Sequence, residues 1–475
     1  MLTINPKIGN CDLFLTLIAL VISLYLSFTS EFLLPQIMII VGLTFLYLFR
    51  EKLLLAAIII GLLTATSEHF EQYRLFITLP SIILLVILFI REFGFNIKDY
   101  PKIPGEISFF IILLLLTLTL STLNSSYFLT SLAASIRMFI FLFISYLFFS
   151  FLRNEKNILI YIYSLISVLL VIGTLMIIDL FNVGIQLYFQ RVLLTSFFNL
   201  QGSLAYTGYT VFFITISLIT SMFFLERFNT NKYKIILSSL FLFNIIVLIL
   251  ANSRGGIAAS IISILFILWV LNRPLLVKLF LSVIVILLVI FLTNNDINET
   301  VNTYLRLETA SDREVYWQTG IDVINDYPLF GLGPDTFYKN FFSYSPSSIL
   351  AYYRPEIAIQ GKPHPHNFFL FFTAENGVLG FITSISFFII FFYLAVGAIK
   401  RTRQLNKEYF ILSVAITGIG LGIFFRSFIE VTGYLIYGYI TRDLPFWLTF
   451  IILIFIYQKS KKEFRPHKKI FFDEN

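Results

Sequence analysis

Four histidines occur in 475 residues, and two of them, His364 and His366, are separated by a single proline in the run KPHPHNFFLFFTAENGVLG that begins at Lys362. Neutral imidazole titrates near working pH, so either ring could take the proton of a hydroxyl as a general base. Pro363 and Pro365 favour an extended backbone, and residues two apart on such a segment point to one side, so the rings form a pair. Two histidines without an obvious third ligand are a weak zinc signal. His69, in the short turn SEHFEQYR, and His467, in the basic tail KSKKEFRPHKK, read as solvated. A helix is expected to begin near His366 or Asn367. Glu375 on that helix either orients His366 or caps the helix before Asn376 and Gly377.

The second set is arginine. Arg254 stands in ANSRGGIAAS, where Gly255 and Gly256 permit a tight turn and close approach of another group. The next apolar span starts there, so Arg254 lies beside a helix N-terminus, a place that favours anions. Arg313 repeats the arrangement: Ser311 with Glu314 makes a capping box for a helix to about Asp326, with Val315, Trp317, Ile321 and Ile324 as its apolar side. Two such arginines would suit a diphosphate, to which guanidinium binds in bidentate fashion. The alternative is that Arg254 ends its span at the interface and Arg313 is a solvated loop charge. Arg137 and Arg426 lie inside apolar spans near one end; they either face the bundle interior as functional groups or snorkel to headgroups.

These residues must be held by a membrane protein. Hydrophobic residues make up 58% of the chain and charged ones 13%, which excludes an ordinary soluble domain. The net charge of +7 does not indicate a nucleic-acid partner, because such a patch needs a water-facing surface. Cys11 is the single cysteine, so neither an internal disulfide nor a cysteine metal site can form. The first apolar run shows no cleavage site and reads as a retained span.

Fourteen stretches are apolar enough to cross a bilayer: 11–29, 32–49, 53–66, 75–92, 107–123, 131–152, 157–178, 203–225, 234–251, 256–271, 275–293, 377–399, 408–428 and 443–458. Two are short, 53–66 and 443–458, so the count is twelve to fourteen. The expected fold is an all-α polytopic bundle. It divides into an N-terminal bundle at 1–293, a long extracytoplasmic loop with amphipathic helices at 294–376, and C-terminal spans with a basic tail at 377–475. With the N-terminus inside, 23 of the 34 Lys and Arg fall in cytoplasmic loops and 16 of the 27 Asp and Glu fall outside, as the positive-inside rule requires. The basic residues left outside are seven arginines, at 74, 191, 254, 306, 313, 354 and 442, and two lysines, at 339 and 362.

Three motifs in order, SRGG at an outer span end, D-R-x-x-x-W (Asp312, Arg313, Trp317) followed by PLFGLGPDTF, and HPHNFFLFFTAENGVLG, resemble the O-antigen ligase and O-antigen polymerase superfamily. The similarity is best over about 185–385. FFNLQGSLAY (197–206), after Arg191, is similar to a segment that reads N-P-N in many members and here reads Asn199-Leu200-Gln201. The resemblance implies a GT-C-like, membrane-embedded glycosyltransferase working at the outer face of the cytoplasmic membrane without a metal or other cofactor. It implies an undecaprenyl-diphosphate-linked glycan as donor and a glycan or lipid-linked acceptor. His366 would be the base, and Arg254 and Arg313, with Arg191, would hold the diphosphate. Arg137, Arg426, His364, Asn367 and Glu375 join Arg191 as expected substrate-binding residues. A polysaccharide polymerase of the same superfamily shares these residues. A polysaccharide or lipid flippase is the remaining alternative, although paired halves or ionisable groups at span centres, expected of a transporter, are not evident.

Overall fold

The computed structural model describes residues 51–64, 74–184, 204–251, 253–279, 281–282, 312–345, 363–431 and 433–472. Spans 11–29 and 32–49, most of 275–293, Arg191 and Ser311 lie outside them. Among the described residues every regular element is helical: α1 (Glu51–Thr64), α2 (Arg74–Phe93), α3 (Gly105–Asn124), α4 (Phe128–Phe151), α5 (Glu155–Val183), α6 (Leu204–Met222), α7 (Asn231–Leu250), α8 (Arg254–Val270), α9 (Asp312–Asp326), α10 (Phe337–Tyr344), α11 (Phe368–Leu405), α12 (Lys407–Arg426) and α13 (Ile440–Phe472). Seven of these, α3, α4, α5, α7, α11, α12 and α13, are long and apolar enough to span a membrane, and α8 and the Thr210–Met222 part of α6 are shorter apolar helices. The chain is a polytopic helical membrane protein.

Local chemistry sets the helix starts. Asn154, Ser253, Asn367 and Asn406 each accept a backbone N–H three residues on, at 2.8, 3.2, 3.0 and 3.0 Å, satisfying donors that a first turn leaves open. Small residues then bring helices together where lipid supplies no hydrophobic drive. A Cβ on Gly418 would sit 3.0 Å from the carbonyl oxygen of Ser263, and one on Gly422 2.7 Å from that of Ala259, so α8 and α12 run in close contact. Behind them α11 packs between α12, α13 and α3, with Phe387, Phe391, Tyr434, Phe446 and Phe450 as a buried aromatic stack. Ile112 and Ile389 are 66% and 62% exposed, which marks the lipid-facing side of the bundle.

The polar contacts separate into two ends. Arg227–Glu408, Lys407–Glu226 (2.8 Å), Lys459–Glu155 (3.5 Å) and Lys461–Glu106 (3.8 Å) join only loops that the charge count assigns to the cytoplasm. Arg137–Asp335 (3.0 Å) and His366–Glu430 (3.6 Å) join segments assigned to the opposite side.

Three expectations change in detail. The buried side of α9 is Tyr316, Thr319 and Val323, whereas Trp317 and Ile321 are 36% and 45% exposed. The helix rests on α11 through Gly320, against Leu370, so its contact face follows that glycine rather than its bulkiest side chains. The short stretch 443–458 lies inside a 33-residue helix, α13, which continues through the good helix formers of the basic tail. Finally, α11 starts at Phe368 and is interrupted at Gly377, with φ 64 and ψ −157.

That interruption is a docking point. Leu332 and Gly333 donate backbone N–H groups to the carbonyls of Ala374 and Glu375 at 3.1 and 2.8 Å, and Val378 donates to Pro328 at 2.8 Å. A Cβ on Gly377 would overlap the Leu329–Phe330 backbone, and its positive φ disfavours any other residue. Gly377→Ala is expected to destabilise the protein by about 2 kcal/mol or more, read as a lower thermal midpoint of the purified protein. An unchanged midpoint would contradict the docking role.

Candidate functional site

The histidine pair forms, but not on a wholly extended segment. His366 has φ 48, in the left-handed region, and its backbone N–H donates to His364 Nδ1 at 3.4 Å. Accepting there leaves the proton of a neutral His364 on Nε2. The two ring centroids are 4.3 Å apart. Next along the chain, Asn367 Oδ1 caps α11 while its Nδ2 donates to the Phe428 carbonyl at 3.2 Å, and Phe368 N donates to the Ser427 carbonyl at 2.8 Å. The histidines are thereby fixed to the C-terminal end of α12.

Glu430, four residues beyond the last residue of α12, faces the pair. Its Oε2 lies 3.6 Å from His366 Nδ1, within ion-pair reach but beyond a hydrogen bond. Tyr316 from α9 meets the His366 ring edge-on, with centroids 5.6 Å apart, and is itself stacked on Phe341 of α10 at 5.0 Å. His366 is thus held between an acid on one element and an aromatic wall on another. Burial favours neutral Glu430, but His366, His364 and Arg426 outweigh it and hold the carboxyl below the usual range. Burial, then the neighbouring His366, lowers the His364 pKa to about 3, with Arg442 and Arg313 adding to the effect and Glu430 opposing it. His364 is therefore neutral at physiological pH and can serve a substrate only as a neutral hydrogen-bonding group.

The arginines gather around these residues. Arg254 occupies the first position of α8, after the Ser253 cap. A Cβ at the adjacent Gly255 would lie 3.4 Å from the Arg426 side chain, so the close approach that the glycine pair permits is that of Arg426. Arg426 is 3% exposed, which makes it an interior group rather than a snorkelling one. Arg313 is partly buried on the first turn of α9, and its charge reaches His364. His364, His366, Asn367, Arg254, Arg313 and Arg426 therefore belong to one neighbourhood. Arg191 lies outside the described residues.

Arg137 and Glu375 are employed differently. Arg137 donates Nε to the Tyr437 carbonyl at 2.8 Å and Nη2 to Asp335 at 3.0 Å, and its guanidinium lies 3.8 Å from the Tyr439 ring centre. Glu375, 1% exposed, accepts the backbone N–H groups of Asp335 at 2.9 Å and Phe337 at 2.7 Å. Rather than orienting His366, it clamps the GLGPDTF turn, and Arg137 ties that turn to 437–439. Both hold that turn in place.

Glu430, Tyr316 and Arg442 belong to no motif that spacing reveals. Arg442 shares Tyr439 with Arg137, 5.5 Å from the ring centre. The one available signal was the four-residue interval between Arg426 and Glu430, which pairs opposite charges at a helix end. His364, His366 and Glu430 also form a cluster, with donor atoms within 4.8 Å of one another, that could hold a metal ion. Chemically the arrangement offers a base braced by a carboxylate, next to fixed positive charge.

His364 also gives the site a pH signature. Its folded-state pKa is below the ordinary 6.5, so the unfolded chain takes up this proton first, and stability falls as pH drops from 6.5 toward about 3. Glu430, also held low, contributes in the same direction below the carboxylate range. His364→Gln, which retains an acceptor for the His366 N–H, is expected to flatten the fall in thermal midpoint between pH 6.5 and about 5. An equally steep fall in the variant would refute this assignment.

Residues 237–385 match the sequence profile of a family described as O-antigen ligase. No curated protein matches the chain.

Proposed function

We propose, from the premise that residues 237–385 place this chain in the O-antigen ligase superfamily and make it a membrane glycan-transfer enzyme, that it moves a glycan from undecaprenyl diphosphate to an acceptor hydroxyl at the outer face of the cytoplasmic membrane. The observation that carries the reading is the His366–Glu430 pair, 3.6 Å apart, set among Arg254, Arg313 and Arg426.

With Nδ1–H turned to Glu430, His366 presents the lone pair of Nε2 to the acceptor. It accepts the hydroxyl proton as the oxygen attacks the anomeric carbon and the bond to the diphosphate breaks. Glu430 then faces an imidazolium and stabilises it, as the acid of a triad does. Hydrogen bonds of this kind are often long in ligand-free sites and tighten with substrate bound. Negative charge accumulates on the leaving diphosphate, where Arg254 and Arg313 stabilise the transition state more than the ground state. Arg426 contributes from beneath Arg254, and Arg191 is assigned to the same anion. His364 and Asn367 fix the turn that carries His366. Arg137 and Glu375 support the substrate-facing loop, and the lipid tail lies along the apolar helices.

The test is transfer in vitro by the full-length protein from an undecaprenyl-diphosphate glycan. His366→Ala is expected to lower the rate by roughly 100- to 10,000-fold, and Arg254→Ala or Arg313→Ala by about 100-fold or more. Glu430→Gln should lower kcat with little change in KM and alter the pH–rate profile. Retained transfer in both His366→Ala and Arg254→Ala would overturn the mechanism. A single linkage to a foreign acceptor identifies a ligase, and a ladder of repeats a polymerase.

Chelation separates the two uses of the histidine cluster. With arginine supplying the positive charge, transfer is expected to persist in excess EDTA. Loss of activity on chelation, restored by a divalent ion, would instead assign His364, His366 and Glu430 to a metal.

A further inference from the structure

At the opposite end of the bundle, the 99–106 turn, Arg153 after α4 and one face of α13 enclose a cavity of about 470 Å³. Lys102, Arg153, Lys461 and Lys462 line it, with Asp99 and Glu106 as the only acids. Glu106 is already engaged, accepting from the Tyr457 hydroxyl at 3.2 Å and pairing with Lys461 at 3.8 Å. Among the described residues, no carboxylate lies within ion-pair distance of Lys102, Arg153 or Lys462. The cavity therefore carries surplus positive charge.

The walls are held in place. Tyr146 of α4 donates its hydroxyl to the Pro101 carbonyl at 3.1 Å, and Gln458 of α13 donates to the Lys102 carbonyl at 2.9 Å. Just ahead of this turn, the same connection exposes Phe95 and Ile97, at 81% and 78%. A soluble anion would gain nothing from those two side chains, whereas a phosphate attached to acyl chains would cover them.

We propose that this cavity binds the headgroup of an anionic phospholipid of the cytoplasmic leaflet. The phosphate sits among Lys102, Arg153 and Lys462, and the acyl chains run past Phe95 and Ile97. Lysine and arginine near a membrane surface attract anionic headgroups, and this pocket arranges three of them around a preformed space between helices. The site is independent of the glycan-transfer reading, since it shares no residue with the histidine end.

Lipid retention by the full-length detergent-purified protein, measured by native mass spectrometry, tests the proposal with phosphatidylglycerol, phosphatidylcholine and glycerol 3-phosphate as probes. Phosphatidylglycerol should be retained over phosphatidylcholine by on the order of tenfold, a preference that weakens as salt is raised. Lys102→Gln/Arg153→Gln/Lys462→Gln should abolish the preference, and Lys400→Gln/Arg403→Gln, at the same end but outside the cavity, should keep it. Equal retention of the two lipids by the wild-type protein, unchanged preference in the triple variant, or equal loss in the control would overturn the proposal. Displacement of phosphatidylglycerol by glycerol 3-phosphate at equal concentration would do so too, reassigning the cavity to a soluble phosphate.

Discussion

The Glu375 side chain is buried in an apolar helix, and the histidine end of the bundle is assembled around it. Burying an ionisable group is expensive unless its oxygens are satisfied. Here two backbone N–H groups, from Asp335 and Phe337, supply the bonds. Because the donors are backbone, the acid fixes the course of a loop. The break at Gly377 frees the carbonyls of Ala374 and Glu375 for the same loop, so an irregular stretch of helix becomes a socket. This is the form in which non-helical backbone is tolerated at membrane depth, buried against protein.

From that socket the rest of the site follows by contact. Asp335, placed by Glu375, receives Arg137; Arg137 holds the Tyr437 carbonyl and the Tyr439 ring. A second buried acid, Asp443, works in parallel by accepting the Ile436 N–H at 2.7 Å. The 433–439 segment is therefore pinned from two sides, and the chain between α12 and α13 that also carries Glu430 has little freedom. Opposite it, Asn367 and Phe368 are bonded to the Phe428 and Ser427 carbonyls. The acid facing His366 and the turn carrying His366 are set by separate anchors, so their separation is preorganised.

The two ends of the molecule use charge in opposite ways. At the histidine end arginine dominates and is partly or fully buried, where its planar head stays charged. At the other end lysine, glutamate and tyrosine make exposed pairs such as Lys407–Glu226, which contribute little individually. Every one of those pairs joins segments that the positive-inside count places on the same side.

The sequence alone made legible what linear spacing can encode: the helical class, the apolar spans, a helix expected near His366 or Asn367 that the structure starts at Phe368, and His364, His366, Arg254 and Arg313 as candidate groups for chemistry. Hydropathy, capping and charge bias are local properties, readable one segment at a time. Tertiary structure decided which polar residues do what once segments meet. Trp317 and Ile321 turn outward because Gly320 is the contact with Leu370. Glu375 and Arg137 serve the loop rather than the histidines, because the loop's N–H groups and Asp335 reach them first. Glu430, with no motif to mark it, becomes the partner of His366 because the end of α12 and the start of α11 share hydrogen bonds. The physical reason is that each contact is set by what lies nearest in space, close packing at a glycine in the first case and the nearest donor, acceptor or charge in the other two, and that neighbour is up to hundreds of residues away along the chain.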